Sequence, residues 1–136
     1  FVINNNCKMI KLIIDATGDK IFFMIINNDT SQKISHENTK NNYEKLILLI
    51  NEFLKSEKLE LSEISKIYVN RGPGSFAGIR NSLSIVKAIH LASKTDYYCF
   101  SFKDFSLKNE FNYENVPHLC EEFKVKKNLI NPIYLS

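Results

Sequence analysis

Two short apolar runs stand near the start of the chain. Residues 9–15 (MIKLIID) and 21–27 (IFFMIIN) are dense in isoleucine and phenylalanine, and the polar stretch from Ala16 to Lys20 between them reads as a turn. The pair predicts a β-hairpin. Residues 28–30 are a second polar turn, after which 31–36 returns as a more exposed third strand. From Thr39 the period becomes helical. Tyr43, Leu46, Ile47, Ile50 and Leu54 share one stripe, with Phe53 beside it, and Thr39 stands at the N-cap position. That pattern fades near Lys58, and residues 61–64 make a short connection. A strand over 66–70 (KIYVN) is stopped by Arg71-Gly72-Pro73-Gly74. Ser75 then begins a second helix with Phe76, Ile79, Leu83, Val86 and His90 on one face, and 97–102 is the next strand. Three strands, helix, strand, helix, strand is an α/β layer in which helices cover a mixed sheet. Beyond Asp104, residues 106–115 read as a polar loop, 117–127 as one short helix and 132–135 as a terminal strand.

At 136 residues the chain has the size of one domain, and 44% hydrophobic against 24% charged residues is a globular composition. No apolar run approaches the roughly 18 residues that span a bilayer. A net charge of +3 does not by itself point to nucleic acid. Sixteen lysines face two arginines, which makes Arg71 and Arg80 informative positions. Cys7, Cys99 and Cys120 are odd in number and widely spaced, so they suggest neither a disulfide framework nor a metal site. Residues 1–8 are polar around Asn4-Asn5-Asn6 and lack a signal peptide's apolar stretch. They read as a leader, a start-site or cloning extension before Met9, and a reducing, cytoplasmic home is expected.

The densest motif is Gly72-Pro73-Gly74-Ser75-Phe76-Ala77-Gly78-Ile79-Arg80, which holds three of the chain's four glycines at a strand-to-helix junction. Glycine permits positive φ and close backbone approach, Pro73 stiffens the turn, and Ser75 can cap the helix. It is neither a Walker loop nor a dinucleotide fingerprint. Two readings stand: a tight capped turn, or a site for an anion or a partner at the helix N-terminus. Arg80 fits a contact with a carboxylate such as Asp15, or an exposed, neutral role. His36, His90 and His118 are scattered, and His90 shares an apolar stripe, as a satisfied, partly buried histidine would. Lys124, Lys126 and Lys127 read as a solvated face, with RNA contact as the alternative. Gly78, Ile85, Ile89 and Ala92 line a second face of the later helix, and Leu48 points away from the stripe of the earlier one. Helices apolar on two sides are either sandwiched or used for association, and association is expected.

The wording of the glycine motif closely resembles the GPGSFTGxR signature of the TsaB (YeaZ) family, the non-catalytic subunit of bacterial tRNA threonylcarbamoyladenosine synthesis. Ile14-Asp15-Ala16-Thr17 resembles the end of that family's first strand. Residues 46–54 (LILLINEFL) resemble one of its helices, and Pro132-Ile133-Tyr134-Leu135-Ser136 its closing segment. Ala77, Asn42 and Ser136 depart from the family's usual threonine, histidine and arginine, and on this resemblance the second lobe reads as almost deleted, with only about 30 residues between the first lobe and the tail.

This resemblance implies a single actin/Hsp70-like, ribonuclease-H-like lobe over 9–105, with 106–136 as a reduced remnant of the second lobe and a short C-terminal tail. Asp15 and Thr17 resemble the phosphate-contacting turn of that superfamily; the bland reading is a polar turn whose side chains bond local amides. With Gly74 and Ser75 they would form a vestigial nucleotide contact, since no second lobe closes a cleft. No cofactor, no metal and no catalytic residue is expected, because the paired helix histidines of the family's catalytic relative are missing. Leu48, Gly78, Ile85, Ile89 and Ala92 would meet a TsaD-type catalytic subunit, or a second copy in isolation. Contact with tRNA would be indirect, and no membrane contact is expected. The alternatives are a small ATP-binding or hydrolytic enzyme using Asp15 and the glycine turn, and a stand-alone homodimeric interaction module.

Overall fold

A computed structural model of the chain describes residues 9–105 and 112–134. Residues 1–8 with Cys7, part of the loop expected over 106–115, and the last two residues of the closing segment lie outside the described residues.

Strands β1 (Ile10–Asp15) and β2 (Lys20–Asn27) form the expected hairpin, and β3 (Thr30–Glu37) extends it antiparallel to β2. β4 (Lys66–Asn70) lies parallel to β1, and β5 (Asp96–Phe100) parallel to β4, giving the order β3-β2-β1-β4-β5. β1 is apolar on both faces because it is covered on both. Ile10, Leu12 and Ile14 join one buried cluster, while Ile13 joins the other, as the pleat requires. The first cluster lies under helices α2 (Leu46–Ser56) and α3 (Phe76–Ser93). The second is closed by Phe105 and by Val116, Leu119 and Cys120 of α4 (Val116–Glu122). The segment after residue 111 therefore packs onto the sheet and completes its second core.

Several elements differ from the sequence expectation. The first helix is broken: α1 (Lys40–Tyr43) ends before Glu44–Lys45 and α2 starts afresh. Thr39 occupies the N-cap but its side chain makes no capping bond, and Asn42 Nδ2 turns back to the Glu37 carbonyl at 2.9 Å. After the break Leu49 takes a buried position, and Ile47 is left 37% exposed.

On α3 the buried arc is wider than one stripe, because the helix packs on the sheet and also beside α1 and α2. Ile89 is 4% exposed and Gly78 is buried, so neither faces outward as expected. Ile85 is half-buried against the same core, whereas Phe76 is 57% exposed. His90 is satisfied as expected: its Nδ1–H donates to the Thr95 carbonyl at 2.9 Å and its ring meets Tyr97 edge-on.

β5 stops at Phe100 because Ser101 and Asp104 form a reciprocal capping box that turns the chain into a short 3-10 helix over Phe102–Asp104. The terminal strand expected over 132–135 is absent as far as Tyr134. Instead Asn128 closes the outer edge of β5, its N–H donating to the Tyr97 carbonyl and its Oδ1 accepting the Tyr97 N–H. An open strand edge is thereby blunted. No helix among the described residues is long and apolar enough to cross a membrane.

Candidate functional site

The parallel strands β1 and β4 end side by side, and their last residues, Asp15 and Asn70, are polar groups closing runs of apolar ones. Both are buried. A buried carboxylate must be paired or hydrogen-bonded, and Asp15 is bonded four times. Its Oδ1 accepts the Thr17 N–H at 2.9 Å and the Thr17 hydroxyl at 2.7 Å. Its Oδ2 accepts Asn70 Nδ2 at 3.0 Å and the Tyr113 hydroxyl at 2.5 Å. Asn70 Oδ1 in turn accepts the Gly72 N–H at 2.9 Å. One continuous network thus runs from Tyr113 through Asp15 and Asn70 into the glycine turn.

Tyr113 enters from beyond residue 111 and its ring stacks on Phe22 with centroids 4.2 Å apart. Burial, reinforced by the Asp15 carboxylate, pushes its pKa above the ordinary 10.0, so the phenol stays protonated and donates. Beside it lies an open cleft of about 350 Å³, lined by Asp15, Thr17, Lys20, Phe22, Ser35 and Tyr113.

The glycine turn fits against two other segments. A Cβ on Gly74 would sit 2.2 Å from the Thr17 carbonyl oxygen, and one on Gly72, whose φ is +113°, would sit 2.1 Å from that of Ile133. The Ser75 N–H donates to the Thr17 carbonyl at 2.8 Å, and Ser75 Oγ caps α3 by accepting the Gly78 N–H at 3.2 Å. The amides of Gly72, Ser75 and Gly78 are therefore committed to this chain's own oxygens, which supports the structural reading of the turn over an anion cradle.

Of the two arginines, Arg71 is the one that bridges. Its Nη2 and Nε donate to the two Asp104 carboxylate oxygens at 2.6 and 3.3 Å, and its Nη1 to the Asn131 carbonyl at 3.0 Å. Its backbone N–H donates to the Phe100 carbonyl, and its own carbonyl accepts the Ile133 N–H, both at 2.7 Å. Arg71 so ties the end of β4 to the turn after β5 and to the tail. Arg80 is exposed and has no carboxylate partner among the described residues, which corrects its suggested contact with Asp15.

The structure brings Asp15, Thr17, Gly74 and Ser75 together. It leaves Leu48 and Ala92 exposed on helix surfaces, with Ile85 half-buried and Gly78 and Ile89 in the core. Cys99 and Cys120 are buried, and burial pushes both thiols up to about 12, so neither serves as a thiolate nucleophile. Tyr113 and Asn70 were missed by sequence reasoning. Asn70 carried a signal, a polar residue closing a buried strand just before the glycine turn; Tyr113 lies in a polar stretch without periodicity.

Tyr113→Phe is expected to cost about 1–3 kcal/mol at neutral pH, because a buried carboxylate loses a donor. Since the folded-state pKa of Tyr113 is raised, its contribution is fully present below the unfolded value of 10.0 and fades as pH rises above it. The gap between wild type and variant should narrow above about pH 10 in denaturant melts. A gap constant with pH would show that Tyr113 is not the donor.

A family model described as "TsaD: tRNA N6-adenosine threonylcarbamoyltransferase" matches residues 25–120. The chain is 35% identical, over an 81-residue alignment covering 49% of it and 37% of the relative, to the tRNA threonylcarbamoyladenosine biosynthesis protein TsaB of Buchnera aphidicola subsp. Baizongia pistaciae (strain Bp). It is 26% identical over 90 residues, 66% of this chain and 43% of the relative, to the protein of that name from Buchnera aphidicola subsp. Schizaphis graminum (strain Sg). Among solved structures it is similar to YeaZ from Pseudomonas aeruginosa, with a TM-score of 0.63 and 18% identity over 68% of this chain and 44% of that one. The chain spans about two fifths of the length of the curated relatives it matches.

Proposed function

The chain belongs to the tRNA N6-adenosine threonylcarbamoyltransferase (TsaD) family and is of the TsaB/YeaZ type within it; from that premise we propose that it serves tRNA threonylcarbamoyladenosine biosynthesis as a non-catalytic scaffold for a TsaD-type subunit. It would act in the cytoplasm, meet tRNA only through the complex, and form a homodimer when isolated. The single observation that carries the non-catalytic part is the Asp15 carboxylate, which already holds four hydrogen bonds from its own chain. A carboxylate so engaged positions the strand ends and the glycine turn instead of a metal or a phosphate. Residues 9–105 would be the lobe that meets the partner and 106–136 a reduced remnant, of which α4 packs Val116, Leu119 and Cys120 on the second face of the sheet.

The partner surface is best sought on α2, where Leu48 is 50% and Ile47 37% exposed, together with Ile85 and Ala92 of α3. Leu48→Asp is expected to weaken association with the TsaD-type subunit by about tenfold or more, since burying such a side chain is worth roughly 1.5–3 kcal/mol. Its melting temperature should stay within a few degrees of wild type, as the site is on the surface. Titration calorimetry and thermal melting together decide the matter. Unchanged affinity in a folded variant would place the interface elsewhere.

The cleft beside Asp15 and Lys20 favours one rival, a small ATP-binding enzyme. ATP titration with magnesium separates the two. Saturable binding lost on Asp15→Asn supports the enzyme.

A further inference from the structure

One side of α3 carries chemistry that none of the contacts described so far uses. Arg80 and Lys87 line one wall of a groove of about 470 Å³, the core residue Leu83 lies at its floor, and the tail residues Ile130, Pro132 and Tyr134 line the other wall. Ile130 is 37% and Tyr134 40% exposed. At one end the ring of Phe76 rests against that of Tyr134, with centroids 4.6 Å apart. Leu91, 70% exposed, lies on the same side of α3. This apolar surface is on the flank of the helix away from Ile85 and Ala92, as the 3.6-residue repeat requires.

Two features bear on what would cover it. Arg80 and Lys87 are both exposed, and neither has a carboxylate within 4.0 Å among the described residues. They stand two helical turns apart, about 10 Å along the axis. The tail wall is also held in place: Arg71 binds the Asn131 carbonyl, and the Ile133 N–H binds the Arg71 carbonyl. A groove already formed loses little entropy when it is filled.

We propose that the groove between α3 and residues 129–134 is a docking site for an acidic amphipathic helix of a partner protein. Apolar anchors would pack on Ile130, Pro132 and Tyr134, and two carboxylates spaced two turns apart would pair with Arg80 and Lys87. This is the helix-in-groove mode of recognition, with charge setting orientation and partner choice. It does not depend on the tRNA pathway.

The test uses the whole chain and a fluorescently labelled helical peptide with two leucines one turn apart and two glutamates two turns apart. A twin carries lysine in place of each glutamate. Anisotropy at low salt should show the acidic peptide binding about tenfold more tightly than its twin. Arg80→Glu combined with Lys87→Glu should reverse that order while leaving the melting curve unchanged, since both side chains are exposed. Tyr134→Ser should weaken both peptides. Equal binding of the two peptides, no binding of either, or a preference unmoved by charge reversal would overturn the proposal. So would tighter binding to anionic phospholipid vesicles than to the acidic peptide.

Discussion

Gly78→Ala is expected to destabilise the protein by about 3 kcal/mol, although the position lies inside a helix. In an exposed helix interior the same change stabilises by roughly 1 kcal/mol, because alanine loses less backbone freedom on folding. Here the added Cβ would meet the Ala16 carbonyl oxygen at 2.0 Å. Backbone at the end of β1 cannot swing aside as a side chain tip could. It also carries the Asn38 Nδ2 bond to that same carbonyl, at 2.9 Å. The first turn of α3 would have to lift from the sheet, taking Ser75 from Thr17 and the glycine turn with it. Gly18→Ala is the control, for nothing lies within 4 Å of its added Cβ. Gly74→Val should be at least as damaging as Gly78→Ala, given the Thr17 carbonyl at 2.2 Å. Chemical denaturation of the variants checks all of this, and a neutral Gly78→Ala would mean that α3 does not sit this close to β1.

The second large effect is expected at Arg71. The Arg71 side chain is 16% exposed and its partner Asp104 24% exposed, so solvent screens the pair only in part. Arg71→Ala leaves Asp104 without its bidentate partner and frees the Asn131 carbonyl, at an expected cost of about 2–4 kcal/mol. Arg71→Lys should recover less than half of that loss, because a single ammonium cannot reproduce the fork. Proteolysis near residues 129–134 should accelerate in Arg71→Ala, since the guanidinium helps hold that segment down. Equal cleavage rates in wild type and variant would deny the tail this anchor.

The contrast between the two arginines shows what was legible in the sequence. Both flank the glycine turn, and a carboxylate contact was foreseen for one of them. The bridging arginine proved to be Arg71, because it directly follows β4 and reaches the turn after β5, while Arg80 falls on the outer side of α3. Strands were legible over 9–15, 21–27 and 66–70, each within a residue of the observed β1, β2 and β4, because continuous apolar runs bounded by turn residues leave few alternatives. Ser75 was legible as a cap because it follows Pro-Gly and precedes an apolar period. The buried width of α3 was not. Periodicity reports which residues share a face, but not how many neighbours a helix has, so Ile89 and Gly78 read as an outward stripe. Leu48, on a helix with one covered side, was placed correctly. Asp15 and Thr17 were foreseen as a pair, yet the partner that closes the network, Tyr113, lies 98 residues from Asp15 and carried no periodic signal.

Two association surfaces are proposed, one on the outward side of α2 and one between α3 and the tail. Neither uses the Asp15 network, which holds the strand ends and the glycine turn in register. The scaffold reading therefore rests on association, not chemistry, and its consequence appears in the tRNA. The decisive measurement is the content of threonylcarbamoyladenosine in tRNA from the source organism, determined by mass spectrometry after deletion of the gene. The modification should fall on deletion, return with the wild-type chain, and fail to return with Leu48→Asp. Undiminished modification in the deletion strain would contradict the account.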